Sequence, residues 1–470
     1  MPAKPIFIGG TGSHAGKSWV TTAICRYLYR MGHRVAPFKA QNMSNNSMVC
    51  GDGAEIGRAQ AAQAEACGLE PLVDMNPILL KPTGSLGCQV VLNGKPWRNL
   101  KAAEYYEHFD FLLERVVESY RRLENRFDFI VIEGAGSLTE LNLKTRDLVN
   151  LGLARRLNAP SILVADIDRG GVFASVIGTF HLLDEEESGL VRAFLINRFR
   201  GDPHLFKDGV QILEEKSGRP CLGVFPYIDD VYLDAEDSVY LETAPMQSSV
   251  AVIRLPHISN FTDFRLFPGA RFLSRPATEQ FDVIFIPGTK NTIDDMTWLR
   301  ETGFEKWMVD EAQRGTKIVG ICGGFQMLGE WIVDPHGVES SKRSVRGLGL
   351  LKTQTELAQE KIARVVSART SEGSAFRAYE IHMGKTTGID AYHRFATVEY
   401  GMREGVLNGN IVGTYLHGAF EDKAVVKEIL GIDVTANSKE THYDRLADWF
   451  AAHVDHDLFA KEFLVQSVVT

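Results

Sequence analysis

Cysteine is scarce: six in 470 residues (Cys25, Cys50, Cys67, Cys88, Cys221, Cys322), with no Cys-x-x-Cys pair. That excludes a disulfide framework and a zinc ribbon, and it fits a reducing cytoplasm, the expected location. No apolar run is long enough to span a bilayer, so no membrane partner is expected. Positive charge is not in excess. Lys and Arg number 51 against 60 Asp and Glu, and the net charge of −9 carries no nucleic-acid footprint. The start, MPAKPIFIGGTG, runs into a strand and a glycine loop, unlike a signal peptide. Neither a repeat nor a low-complexity segment is visible. What remains is an ordinary composition, 44% hydrophobic and 24% charged, on a chain too long for one core.

The first half alternates strands and helices. Pro5–Gly9, Val35–Lys39, Phe127–Glu133, Ser161–Asp166 and Arg192–Asn197 are apolar runs of buried-strand type, and Ser18–Met31, Glu104–Arg122 and Asp147–Leu157 read as helices. The pattern predicts a doubly wound parallel sheet. Residues 236–248 are polar and aperiodic, a linker. A second αβ series begins at Ser249 and passes through Asp282–Ile286 and Lys317–Ile321 into a β-rich stretch, Gly347–Tyr415. The expected division is 1–235, linker 236–248, 249–440, and a helical tail 441–470. Oligomeric state is not legible.

Gly9-Gly10-Thr11-Gly12-Ser13-His14-Ala15-Gly16-Lys17-Ser18 lies between the first strand and first helix. Backbone N–H groups of Gly10, Thr11, Gly12 and Gly16 can cradle phosphates at a helix start, with Lys17 on the β/γ-phosphates and Ser18 on Mg²⁺. Thr11 stands where the first glycine is usual, and Gly10 lengthens the loop by one residue. Glu133 ends a buried strand before Gly134-Ala135-Gly136, where a Mg²⁺ ligand is well placed; Glu55 is a second metal candidate. The G-T-x-S-x-x-G-K-S form resembles the dethiobiotin-synthetase-like branch of P-loop enzymes, which phosphorylate a carboxylate with ATP. That resemblance implies a second phosphate-contacting cation at Lys39 and an adenine-reading amide at Asn197.

Gly320-Ile321-Cys322-Gly323-Gly324-Phe325-Gln326 follows an apolar strand and opens a helix. A cysteine between glycines at such a turn is exposed for attack, and helix-start N–H groups can hold an oxyanion. His417, in Gly413-Thr414-Tyr415-Leu416-His417-Gly418, follows about 95 residues later. Order and spacing resemble class I glutamine amidotransferases, whose Cys–His pair hydrolyses glutamine through a thioester. The likeness extends to Pro287-Gly288-Thr289-Lys290, so Gly288 and Gly323 are the expected oxyanion donors, and to Gln326. Many members carry Glu two residues after the histidine. Here Ala419 stands there and Glu421 is out of register, so an imidazole without an orienting carboxylate, and slow glutamine hydrolysis, are expected.

A thiol that frees ammonia and a loop that activates a carboxylate with ATP define a glutamine-dependent carboxylate amidase. Lys39-Ala40-Gln41-Asn42-Met43-Ser44, Glu55-Ile56-Gly57-Arg58, Asp166-Ile167-Asp168-Arg169-Gly170-Gly171 and Tyr379-Glu380-Ile381-His382-Met383-Gly384, in this order, resemble the cobyric acid synthase family. The resemblance implies amidation of the b, d, e and g carboxylates of a corrinoid, adenosylcobyrinic acid a,c-diamide. Its candidate contacts here are Gln41, Asn42, Ser44, Arg58, Asp168 and Arg169. Two other readings stand beside it. The a,c-diamide synthases carry Lys-x-Gly-Pro-Asp where this chain has Lys39-Ala40-Gln41-Asn42. A nucleotide-switch ATPase with a binding module would not need the Cys322–His417 pair.

Overall fold

A computed structural model describes residues 2–82, 87–234 and 248–465. Residues 236–247 of the expected linker lie outside the described residues. The chain forms two compact units: Met1–Met43 with Ala59–Asp234 and Asn437–Thr470, and Ser44–Arg58 with Ala235–Ala436.

In the first unit six parallel strands stand in the order Cys221–Pro226, Val191–Phe199, Ser161–Asp166, Lys4–Gly10, Phe129–Glu133, Val35–Phe38. The central strands are apolar on both faces because helices cover both, which is why they read as continuous runs. The helix Lys17–Arg30 buries Val20, Ala23, Ile24 and Leu28, three or four residues apart, and ends at Gly32, whose φ of 89° suits glycine.

Two predicted helices differ, one broken and one shorter. The span 104–122 is broken at His108, into Ala102–Glu107 and Phe109–Glu124. The span 147–157 is helical only over Leu151–Arg156, because the Asp147 carboxylate accepts from the N–H groups of Val149, Asn150 and Gly152 and holds a turn instead. The helix Lys439–His453 belongs to this unit. It packs on Lys17–Arg30 with Arg26 bonded to Glu440 and Asp444 at 2.7 and 2.9 Å, and it adds Trp449 and Phe450 to the core of Ile6, Ile8, Val164 and Leu195. Burying Phe450 alone contributes roughly 2–3 kcal/mol.

In the second unit the order is Arg271–Leu273, Val250–Ile253, Val283–Ile286, Lys317–Ile321, Ile411–Thr414, Val406–Asn408, parallel except for the last. The predicted β-rich stretch is mostly a long hairpin, Gln354–Thr370 with Ala375–Thr387. A small hairpin, Ser47–Val49 with Glu55–Gly57, lies on the latter strand: the Tyr379 hydroxyl donates to the Ser47 carbonyl at 3.2 Å.

Candidate active site

In the first unit the phosphate loop turns between Lys4–Gly10 and its helix. Lys17 Nζ donates to the carbonyls of Gly12 and Gly136 at 3.0 and 2.8 Å, which draws the loop against the segment after Glu133. Glu133 is the hub. Its carboxylate accepts from Ser18 Oγ at 2.9 Å, Lys39 Nζ at 2.9 Å and Gln63 Nε2 at 2.5 Å. Burial would push this carboxyl up, but the Lys39 ammonium and the donated hydrogen bonds bring it below its ordinary range. Two oxygen donors, Ser18 and Glu133, beside a phosphate loop fit a hard cation. Among the described residues no group of three or more His, Cys, Asp or Glu side chains could hold a metal ion, so phosphate oxygens and water would complete its shell.

The other expected contacts have these surroundings. Asn197 donates to the Ala15 carbonyl at 2.9 Å, and a Cβ on Gly16 would lie 2.0 Å from its Nδ2. Its amide braces the loop. Glu55 is in the second unit, where Ser47 Oγ donates to it at 2.7 Å and Lys361 pairs with it at 2.6 Å. Arg58 is fully buried there too, against Met48 Sδ at 2.7 Å and Glu421 at 3.8 Å. Ser44 closes a turn with the Asn46 amide at 2.8 Å. Gln41 and Asn42 remain in the first unit: Gln41 accepts from the Tyr105 hydroxyl, and buried Asn42 donates to Gln60 at 2.8 Å. Asp168 is paired with Arg200 at 2.6 Å, and exposed Arg169 lies 3.6 Å from Asp166. Gln63 and Asn150, which clasps Ala135 through N–H and carbonyl at 3.1 and 2.7 Å, were not found from sequence. Polar side chains recurring in alanine-rich Arg58–Ala66 were the available signal for Gln63.

In the second unit Cys322 joins Lys317–Ile321 to the helix Gly323–Leu328 at φ 52° and ψ −109°, a strained backbone for a residue with a side chain, costing roughly 1–3 kcal/mol. The turn is held by the Cys322 N–H donating to the Thr414 carbonyl at 2.8 Å and by glycine: a Cβ on Gly324 would lie 1.9 Å from the Ile286 carbonyl oxygen. The thiol points to the Ile381 carbonyl at 3.6 Å. Gly323 opens its helix, so its N–H has no partner within it. A Cβ on Gly288 would lie 2.9 Å from His417 Cε1, so the Pro287–Lys290 loop passes against the imidazole. Gln326 accepts from Thr292 Oγ1 at 3.0 Å.

The imidazole does have an orienting carboxylate, contrary to expectation. His417 Nδ1 donates to Asp263 Oδ2 at 2.8 Å, and Asp263 Oδ1 accepts from the Gly418 N–H at 2.6 Å. Asp263 comes from the turn Phe261–Phe264, 154 residues before the histidine, and both groups are 1% exposed. The His417 ring stacks on Tyr379 at 5.3 Å, and their backbones exchange hydrogen bonds at 2.9 and 3.0 Å. Burial would lower the imidazole's affinity for protons, but Asp263 and the neighbouring Cys322 raise its pKa to about 10. With Nδ1 bound, Nε2 is aimed elsewhere and has no partner among the described residues. Glu421 pairs with Arg265 at 3.2 Å.

Residues 6–239 match the CobQ/CobB/MinD/ParA nucleotide binding domain and residues 249–425 the CobB/CobQ-like glutamine amidotransferase domain. These matches and the two sites define a glutamine-dependent amidating enzyme with a nucleotide-binding half. The chain is 44% identical to a cobyric acid synthase of Syntrophobacter fumaroxidans over 96% of its own length and 97% of that protein. It is 42% identical to those of Dehalococcoides mccartyi, covering 96% and 97%, and Hyphomonas neptunium, covering 98% and 97%. The chain belongs to the cobyric acid synthase family. Among the described residues no helix is long and apolar enough to cross a membrane.

Proposed function

We propose that this enzyme uses ATP and glutamine to amidate the b, d, e and g side-chain carboxylates of adenosylcobyrinic acid a,c-diamide, giving cobyric acid in cobalamin biosynthesis. The observation carrying it is one chain with two machineries, an oriented Cys–His–Asp and a Lys–Ser–Glu phosphate site, along nearly the full length of cobyric acid synthases.

His417, with its raised proton affinity, holds the Cys322 proton on Nε2 as an imidazolium stabilised by Asp263, and the Cys322 thiolate attacks the glutamine carboxamide carbon. The Gly288 and Gly323 N–H groups hold the tetrahedral oxyanion. His417 returns the proton to the leaving nitrogen, ammonia departs, and water opens the thioester. In the other half Lys17 and Lys39 offset the charge of the transferring phosphoryl group as the substrate carboxylate becomes an acyl phosphate. Mg²⁺, held by Ser18 and Glu133, would neutralise phosphate charge. Ammonia attacks the acyl carbon and phosphate leaves, forming the amide.

Mass spectrometry of the corrinoid after incubation with enzyme, ATP, Mg²⁺ and glutamine tests this. Four successive acid-to-amide mass changes are expected, and Cys322→Ala should be active only with ammonia. No change on the a,c-diamide but two on the unamidated acid would reassign the enzyme to the a,c-diamide synthases.

A further inference from the structure

The first unit holds a cavity of about 270 Å³. One wall is the loop after Glu133, including Gly136, whose carbonyl receives Lys17 Nζ. Gln41 and Tyr105, joined by their hydrogen bond, form another. The floor of the first wall is pinned by Asn150, through its two bonds to Ala135. The cavity therefore opens beside the atoms that define the phosphate site.

Its outer rim is chemically unusual. Leu141 and Leu143, on the turn Leu141–Arg146, are 51% and 39% exposed, although unpartnered leucines gain nothing from water. Arg146 lies over the Tyr106 ring at 5.9 Å and has no carboxylate partner among the described residues. The other charges of the lining are largely committed. Lys144 pairs with Glu187 at 2.8 Å and Asp184 at 3.0 Å, and Asp147 is spent on three backbone N–H groups. Glu140 stands at the Gly136 end, 3.6 Å from where a Gly136 Cβ would be.

An apolar ledge, one free guanidinium and a polar throat leading to the phosphate lysine match a ligand with a broad apolar ring and an acid-bearing arm. The volume falls below the roughly 300–1,000 Å³ that encloses a whole drug-sized ligand. It suits one arm, not a macrocycle.

We propose that this cavity seats a single carboxylate arm of the corrinoid, with the ring edge on Leu141 and Leu143 and a neighbouring carboxylate or amide arm on Arg146. This rests on the function proposed above and deepens it. A site that grips one arm and a generic ring edge explains how one catalytic centre treats four differently placed carboxylates: the ring is released and re-seated with the next arm inward.

The test uses full-length enzyme with saturating ATP and ammonia, comparing wild type with Arg146→Gln and Leu143→Asp. The expected result is a corrinoid KM raised at least tenfold in both variants, with the KM for ATP within twofold of wild type. Partly amidated corrinoids should also be found free in solution. Corrinoid KM values within twofold of wild type in both variants would overturn the assignment while leaving the function intact. A variant whose KM for ATP rises equally would also overturn it, since the side chain would then serve the nucleotide site. Wild type that amidates no corrinoid would instead remove the proposed function, and this inference with it.

Discussion

Replacing Asp263 by asparagine should disable glutamine use and spare ammonia use. The carboxylate fixes His417 with its proton on Nδ1, leaving Nε2 to receive the Cys322 proton. Asparagine can still accept the Gly418 N–H with its carbonyl oxygen, but it then turns an NH₂ toward Nδ1. The imidazole must become the acceptor there and carry its proton on Nε2, the wrong tautomer for a base. Losing a correctly oriented acid–base group costs about 10²–10⁴-fold in rate, and the wrong tautomer puts the loss toward the upper end of that range. Glutamine-dependent kcat/KM should therefore fall by about 10²–10⁴, while amidation with ammonia stays within twofold. A linked change is expected in stability. A histidine whose folded pKa is raised contributes stability fully present below about pH 6.5 and lost as pH rises through about 10. Asp263→Asn should flatten that dependence, read by chemical denaturation at several pH values between these limits. Glutamine turnover within threefold of wild type would refute the orienting role.

Lys39→Met leaves Glu133 buried with no counter-charge, a loss of about 3–5 kcal/mol. Thermal unfolding should show it, amidation should fail even with ammonia, and stability should partly recover as pH falls and Glu133 takes a proton. Phe450→Ala empties a fully buried site in the first unit and should cost about 3–5 kcal/mol, measured by denaturant midpoint. Glu404 is fully buried, and burial raises its carboxyl to about 8 despite hydrogen bonds from the Tyr415 N–H and Thr414 hydroxyl. An acid with a raised folded pKa holds its proton in the folded state, so its contribution is present below about pH 4.5 and lost as pH rises through about 8. Glu404→Gln should remove that slope, with wild type losing more stability than the variant between pH 5 and 8 in urea titrations.

The residues proposed to make and break bonds stand out in the sequence because each sits in a contiguous turn. A phosphate loop needs its glycines, lysine and serine in one run between strand and helix, and Gly9–Ser18 has them. A nucleophile held at φ 52° needs small neighbours on the next residues, and Gly323 and Gly324 supply them. Buried strands announced themselves as unbroken apolar runs, so the parallel sheets were readable. The residues that orient this machinery were not readable, because an orienting group can come from any element that the sheet order brings alongside. Asp263 reaches His417 from a short turn far upstream, and Gln63 and Asn150 reach Glu133 and Ala135 from separate segments. Nothing local marks them, since an Asp in a Phe-Thr-Asp-Phe turn or a Gln among alanines has many uses. The same limit applies to Glu55 and Arg58, whose pairing with Lys361 and Glu421 comes from segments far along the chain. A buried charge with several partners drawn from separate segments, such as Glu133 or Asp263, shows only in three dimensions what a site must hold in place.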